Sequence, residues 1–251
     1  MTTERRWAVS DFDLALRSLR VLTPAGERPA TVLVKDGSIA EVADYDTDAV
    51  ALEVVELGSA ALLPGLVDTH VHVNEPGRTE TEGFATATRA AAAGGLTTIV
   101  DIPNGSIPPT TSVEALEIKR SSAAGQCFVD VGFWGGAVSG NQDKLIALHE
   151  AGVFGFKGYL TPESNSFPYL RPFELRQVLE TLNSVDALLL VHAEDADVIA
   201  AAEAPAGTQF SRFLASRPAT AEIVAVTRLV EASRATGARV HVVHLAVTER
   251  T

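Results

Sequence analysis

The stretch LVDTHVHVNEPGR, residues 66–78, closes an apolar run with two imidazoles and then turns at once through Asn-Glu-Pro-Gly. His70 and His72 are two positions apart, so a strand places both on one face. A buried strand that ends on two such groups needs something for them to meet, and the rest of the chain suggests what that is.

Working outward, Pro64-Gly65 marks a change of texture. Beyond it, strand-like runs alternate with helix-like runs. The expected strands are LVDTHVHV (66–73), LTTIVDIP (96–103), CFVDVGFW (127–134), GVFGFKGYL (152–160), ALLLVHAE (187–194) and ARVHVVHLA (238–246). Between them lie TEGFATATRAAAAGG, TSVEALEIKR, KLIALHEAG, PFELRQVLETL and TAEIVAVTRLVEASRATG. Thr111 and Glu114 stand at capping-box spacing. Ile223, Val226, Leu229 and Val230 recur at helical spacing and predict a core-facing stripe. Six alternating βα units imply a parallel sheet with helices outside. No strand is followed by Gly-x-Gly-x-x-Gly, so a barrel is favoured over a dinucleotide-binding fold.

Before Pro64 the pattern is different. Residues 12–63 read as short strands, with Asp36-Gly37 between two β-branched runs as a hairpin turn. The predicted organisation is an N-terminal β module, part of a small β-sandwich, over residues 1–63. A barrel over 64–251 follows, represented by its first six strands.

Composition narrows the function. The formal net charge of -12 over 251 residues argues against nucleic acid, whose phosphates demand cations, and against an anionic membrane surface. MTTERRWAVSDFDLALRSLR has no continuous apolar core of a secretory signal, and no run is long enough to span a bilayer. A single cysteine, Cys127, excludes an intramolecular disulfide framework and fits a reducing cytoplasm.

In a parallel barrel the chemistry collects at the C-terminal ends of the strands. Five of the six histidines fall at such ends: His70, His72, His192, His241 and His244. His149 lies on a helix and reads as solvent-facing. Lys157 sits within FGFKGYL. Each alone has an ordinary reading: strand histidines bond backbone groups, and a lone lysine extends its head to water. Together they point to a metal centre. Imidazoles suit a borderline ion such as zinc. An ammonium among them would repel cations, so Lys157 is expected to be neutral or, after reaction with CO2, an anionic carbamate bridging two ions. Such ions would share a hydroxide nucleophile and polarise a carbonyl oxygen. His241 and His244, three apart, would face opposite sides of a strand, and His244 is the one nearer its end. Asp68 shares the His70 face and reads as a supporting carboxylate.

PGLVDTHVHVNEPGR, the FKGY lysine, the VHAE histidine and the VVHLA histidine resemble the cyclic amidohydrolases, the family of allantoinases, dihydroorotases and dihydropyrimidinases or hydantoinases. The resemblance implies that His70 and His72 hold one divalent ion and His192 and His244 the other, with carbamylated Lys157 between them. The implied reaction is hydrolytic opening of a cyclic amide. HVHVNEPGR, the EGF at 82–84, SIPPTTSVEALEIKR and FLASRPATAE are most similar to the allantoinase group, which implies conversion of allantoin to allantoate in purine catabolism. Where dihydroorotases place a carboxylate-clamping arginine, this chain has Asn74, which suits a neutral ring. Ile102-Pro103-Asn104-Gly105-Ser106 stands where that group usually reads Met-Pro-Leu-Asn-Ser, putting the Asn104 amide one place early; the resemblance implies Asn74 and Asn104 as substrate contacts, the latter altered by this shift.

The resemblance also implies a general-base aspartate after the last barrel strand, and none in this chain matches it. The alternative expectation is therefore an inactive fragment, or half of a split enzyme with a separately encoded C-terminal half. Family members are commonly homotetramers.

Overall fold

The computed structural model describes residues 10–204 and 207–247. The start of the chain, on which the reading of a missing secretory signal rests in part, and the last residues of AVTERT lie outside them. The chain divides into two compact units, Met1–Gly65 and Leu66–Thr251.

The first unit is a four-stranded sheet in the order β3-β2-β1-β4. Its strands are β1 (Phe12–Thr23), β2 (Gly26–Lys35), β3 (Ser38–Ala43) and β4 (Ala51–Leu62). β1 runs antiparallel to β2 and parallel to β4. Asp36 and Gly37 both take positive φ, 50° and 74°, the geometry of the tight turn joining β2 to β3. The expectation of short strands fails for β1 and β4, which are 12 residues each. Their pairing shifts register around Ser18, whose hydroxyl donates to the Ala60 carbonyl at 2.6 Å and accepts the Arg20 amide at 2.9 Å. The hydroxyl thus bonds backbone groups on both strands where the regular ladder is interrupted.

The second unit alternates strand and helix. In order it comprises β5 (Leu66–Val71), α1 (Phe84–Ala93), β6 (Leu96–Asp101), α2 (Val113–Ala123), β7 (Asp130–Phe133) and β8 (Gly135–Gly136). There follow α3 (Leu145–Glu150), β9 (Phe156–Tyr159), α4 (Pro172–Asn183), β10 (Leu189–His192), α5 (Ala196–Ala201), α6 (Phe210–Ala215), α7 (Ala219–Thr236) and β11 (Val240–Val242). β5, β6 and β7 form one parallel sheet, and β8 to β11 another. β7 and β8 are a single run interrupted at Trp134, whose amide turns to the Asp101 carbonyl at 3.0 Å. The strands thus follow one another in chain order, as in a (β/α) barrel, and the fold is α/β with part of that barrel.

Both faces of β9, β10 and the end of β6 are covered, which is why these strands read as apolar runs; β5, expected to be buried, is instead largely exposed at Leu66 and Val67. Ile99, Leu189 and Val191 pack outward with Leu175, Leu179 and Leu182 of α4 and Leu229 of α7. Val100 and Leu190, one residue out of phase, pack on the other face with Ile102, Trp134 and Val243.

Several local expectations are corrected. α2 is capped by Ser112, whose hydroxyl accepts the Ala115 amide at 3.3 Å; Thr111 lies one residue too early. The third strand starts at Asp130, leaving Phe128 exposed. On α7 the buried line is Ala221, Ala225 and Leu229, whereas Val230 is exposed, because the contact face tilts toward the smaller residues. His149 is half-buried, and its Nδ1 is enclosed without a hydrogen-bond partner. Among the described residues no helix is long and apolar enough to cross a membrane.

Candidate metal centre

The end of β5 is held in place by carboxylates. Asp68 Oδ1 accepts the amide of His70 at 3.0 Å, fixing the backbone that presents the first imidazole. His72 lies just past the strand. The next amide, that of Val73, donates at 2.7 Å to Oδ1 of Asp101 at the end of β6. Asp101 is fully buried, and its Oδ2 takes the Lys119 ammonium of α2 at 2.6 Å. Burial pushes the Asp101 carboxyl up to about 6, while Lys119 and the amides of Val73 and Ile102 pull it the other way.

The Asn-Glu-Pro-Gly turn has a structural purpose too. Glu75 Oε2 accepts the Phe84 amide at 2.9 Å, at the first turn of α1. A carboxylate there satisfies a free helix-terminal donor and lies favourably on the helix dipole. The cap residue itself is Gly83, which has no side chain to do this. The Asn74 backbone N–H donates to the Glu82 carbonyl at 2.8 Å, and its backbone carbonyl accepts the Arg78 N–H at 2.9 Å. Its side chain lies so near Gly105 that a Cβ there would stand 2.9 Å from Asn74 Oδ1.

Lys157 occupies the middle of β9 with 0% exposure, and its Nζ has no hydrogen-bond partner. It lies 5.0 Å from the centre of the Tyr159 ring. Burial pushes the amine down to about 8. Around it the histidine rings form a chain. His72 and His70 have centroids 5.6 Å apart, His70 and His244 5.5 Å, and His244 and His192 4.9 Å. His70 is pushed down to about 4 by burial first and then by Lys157, with smaller contributions from His72 and His244. Burial and then Lys157 likewise lower His72 and His244. Among the described residues no three His, Cys, Asp or Glu side chains converge tightly enough to hold an ion by themselves. The histidines are strung out in pairs, with the lysine among them.

β11 ends at Val242, so His241 and His244 do not share a strand. His241 is in register with Leu190 and stands exposed. His244 comes after the strand at φ 39°, and this turn brings its ring against His70 and His192. Glu222 of α7 anchors the segment beyond it by accepting the amides of Ala246 at 3.1 Å and Val247 at 2.6 Å.

Tyr159, Glu163 and Glu194 at the centre, and Lys119 beside it, lay outside the sequence reading, whereas Asn104 was part of it. Tyr159 stacks on His192 with centroids 5.0 Å apart, and its hydroxyl accepts from Asn104 Nδ2 at 3.2 Å. Burial, then Glu163, push that hydroxyl up to about 12. Asn104 also donates to Glu163 at 3.2 Å, while its own Oδ1 is buried without a partner. Glu194 Oε2 binds His192 Nε2 at 2.7 Å and Arg217 at 2.7 Å. Tyr159 and Glu194 each follow a singled-out residue by two, the spacing that returns to the same strand face; that signal was available. Lys119 gave none.

A cavity of about 560 Å³ opens at the His192 and His244 end of this centre, lined also by Tyr159, Glu163 and Arg217. Another of about 570 Å³ lies among Tyr169, Phe173, Ala225 and Arg228 and contains none of the histidines.

Residues 59–250 match the family described as dihydro-orotase-like, and the chain belongs to that family. Among curated relatives, it is 50% identical over 243 residues to the allantoinase of Streptomyces avermitilis, covering 96% of this chain and 55% of that protein. It is 40% identical over 235 residues to the mitochondrial allantoinase of Aquarana catesbeiana, covering 92% of this chain and 48% of that one. The L-hydantoinase (dihydropyrimidinase) of Arthrobacter aurescens shares the fold at a TM-score of 0.86 and 29% identity, over 92% of this chain and 52% of its own. The chain spans about half the length of the curated relatives it matches.

Proposed function

We propose that this chain carries the metal-binding portion of a cyclic amidohydrolase site, and that the reaction it serves is the hydrolytic opening of allantoin to allantoate. The observation that carries the reading is the Lys157 amine, buried, unpartnered and set among histidine rings. No carboxylate meets it among the described residues, so its charged form has only the Tyr159 ring face for company. Burial shifts the amine toward its neutral form, the one open to carbamylation. Imidazoles sharing an ion at about 2.0–2.1 Å have ring centres roughly 5 Å apart, near the spacing of the His70–His72 and His192–His244 pairs. The donor set therefore fits two divalent ions, with zinc the natural occupant.

In this reading His70 and His72 hold one ion, His192 and His244 the other, and carbamylated Lys157 lies between. When bound, such ions acidify water and polarise an amide carbonyl. The protein's own part is to keep the imidazoles neutral, and the lowered proton affinities of His70, His72 and His244 do so. The unpaired Asn104 Oδ1 offers an acceptor to a ring or ureido N–H, and Asn74 offers an uncharged amide. Neither would reward a substrate carboxylate, which favours a neutral ring over dihydroorotate.

The test is metal content and allantoin consumption by the purified chain, beside Lys157→Ala. About two ions per chain, lost in the variant, with allantoin opened faster than dihydroorotate or dihydrouracil, is the expected result. A wild type that binds metal no better than Lys157→Ala would refute the site. Metal binding without turnover would favour the second reading, that the catalytic act needs residues supplied by another polypeptide; the half-length match to the relatives motivates it.

A further inference from the structure

His192 differs from the other three histidines of the centre. Among the described residues its ring alone makes a hydrogen bond, from Nε2 to Glu194 Oε2 at 2.7 Å. The same oxygen receives Arg217 from the turn between α6 and α7, also at 2.7 Å. The His192 and Glu194 side chains are only 25% and 19% exposed, whereas that of Arg217 is 40% exposed. Tyr159 lies stacked on the imidazole at an interplanar angle of 22°, which fixes the plane of the ring. Stacking leaves the ring free to turn over within that plane. The Glu194 bond removes this freedom.

We propose that Glu194 is a positioning residue that locks His192 as its Nε2–H tautomer, with Arg217 holding the carboxylate in place, so that Nδ1 is the nitrogen offered to a divalent cation. The chemistry follows from what each group can do. An ionised carboxylate only accepts, so the single proton of a neutral imidazole must reside on the nitrogen facing it. The opposite nitrogen then keeps its lone pair for a ligand. Arg217 supplies the counter-charge that keeps Glu194 ionised beside a neutral ring. The inference rests on the metal centre proposed above for its consequence, but the tautomer itself can be measured without metal.

The experiment uses the full chain with ¹⁵N-labelled histidine, stripped of metal, followed by Zn²⁺ titration in competition with a chromophoric chelator. Wild type should show His192 as a single Nε2–H tautomer with an exchange-protected Nε2 proton. Glu194→Ala should lose the protected proton, show ring ¹⁵N shifts averaged between tautomers, and bind zinc about 10–100-fold more weakly. Glu194→Gln keeps an accepting oxygen and should recover most of both properties. Arg217→Ala, which leaves the acceptor in place, should fall between and serves if Glu194→Ala does not fold. A wild-type proton on Nδ1, or unchanged ¹⁵N shifts and zinc affinity in Glu194→Ala, would overturn the proposal. If wild type binds no zinc, the metal centre itself fails, and the ring shifts alone still decide whether Glu194 sets the tautomer.

Discussion

Lys119 and Asp101 form an ion pair at 2.6 Å with both side chains withdrawn from water, and the second oxygen of Asp101 holds the backbone immediately after His72. A helix thereby reaches through the sheet end to steady the loop that carries a candidate ligand. Removing one partner strands a buried charge. Lys119→Met is expected to destabilise the chain by about 3–5 kcal/mol, and Lys119→Met with Asp101→Asn by clearly less. Urea denaturation of the three proteins measures this. Equal losses in the single and double variants would show that the pair is not coupled.

Lys157 should oppose stability in the metal-free protein. Its proton affinity is depressed on folding, from 10.5 to about 8, so the folded state loses stability as pH falls from about 10.5 to about 8 and stays penalised below that. The drop corresponds to about 3 kcal/mol. Lys157→Met is expected to be more stable than wild type at pH 7 in chelator and CO2-free buffer, with the gain shrinking toward pH 10. A loss of stability at pH 7 would mean the amine is neutralised by something other than burial.

His70 predicts an acid sensitivity. Its folded proton affinity, about 4, lies below the ordinary 6.5, so the unfolded chain takes up a proton first and stability falls as pH drops through that window. His70→Asn should flatten the stability profile between about pH 6.5 and 4. Lys157→Met should flatten it in part, since Lys157 is the second cause of the His70 shift after burial. Parallel profiles for all three proteins would count against this account.

Gly105→Ala tests the wall behind Asn74. The new methyl would lie 2.9 Å from Asn74 Oδ1 and 3.1 Å from the Val73 carbonyl, and the latter is held by backbone that cannot swing aside. A loss of about 1–3 kcal/mol is expected, as for other overpacked sites. Thermal melts give the value, and an unchanged midpoint would show that the loop relaxes freely.

Glu75 owes its place to α1. Glu75→Ala removes the acceptor of the Phe84 amide at 2.9 Å and should cost about 1 kcal/mol, while Glu75→Gln should cost less. Thermal melts again decide, and a neutral Glu75→Ala would assign the helix start to backbone contacts alone.

The sequence by itself determined the alternation of strand and helix, the positions of β5, β6, β9 and β10 to within a few residues, and the set of side chains to examine. It could do so because apolar periodicity and strand-end histidines are local signals, written in neighbouring residues. Only the tertiary structure decided that His244 turns back to His70 after β11 has ended, that Lys157 has no partner, and that Asp101, Glu194 and Glu222 each secure a segment bearing a histidine. Most of those relations join distant residues, 28 apart for Asp101 and Val73, 24 for Glu222 and Ala246 and 33 for Asp195 and Arg228, and the short one between Glu194 and His192 depends on the folded ring's orientation. Hydrogen bonds and burial depend on where the folded chain brings such groups, and no periodicity in the sequence records that.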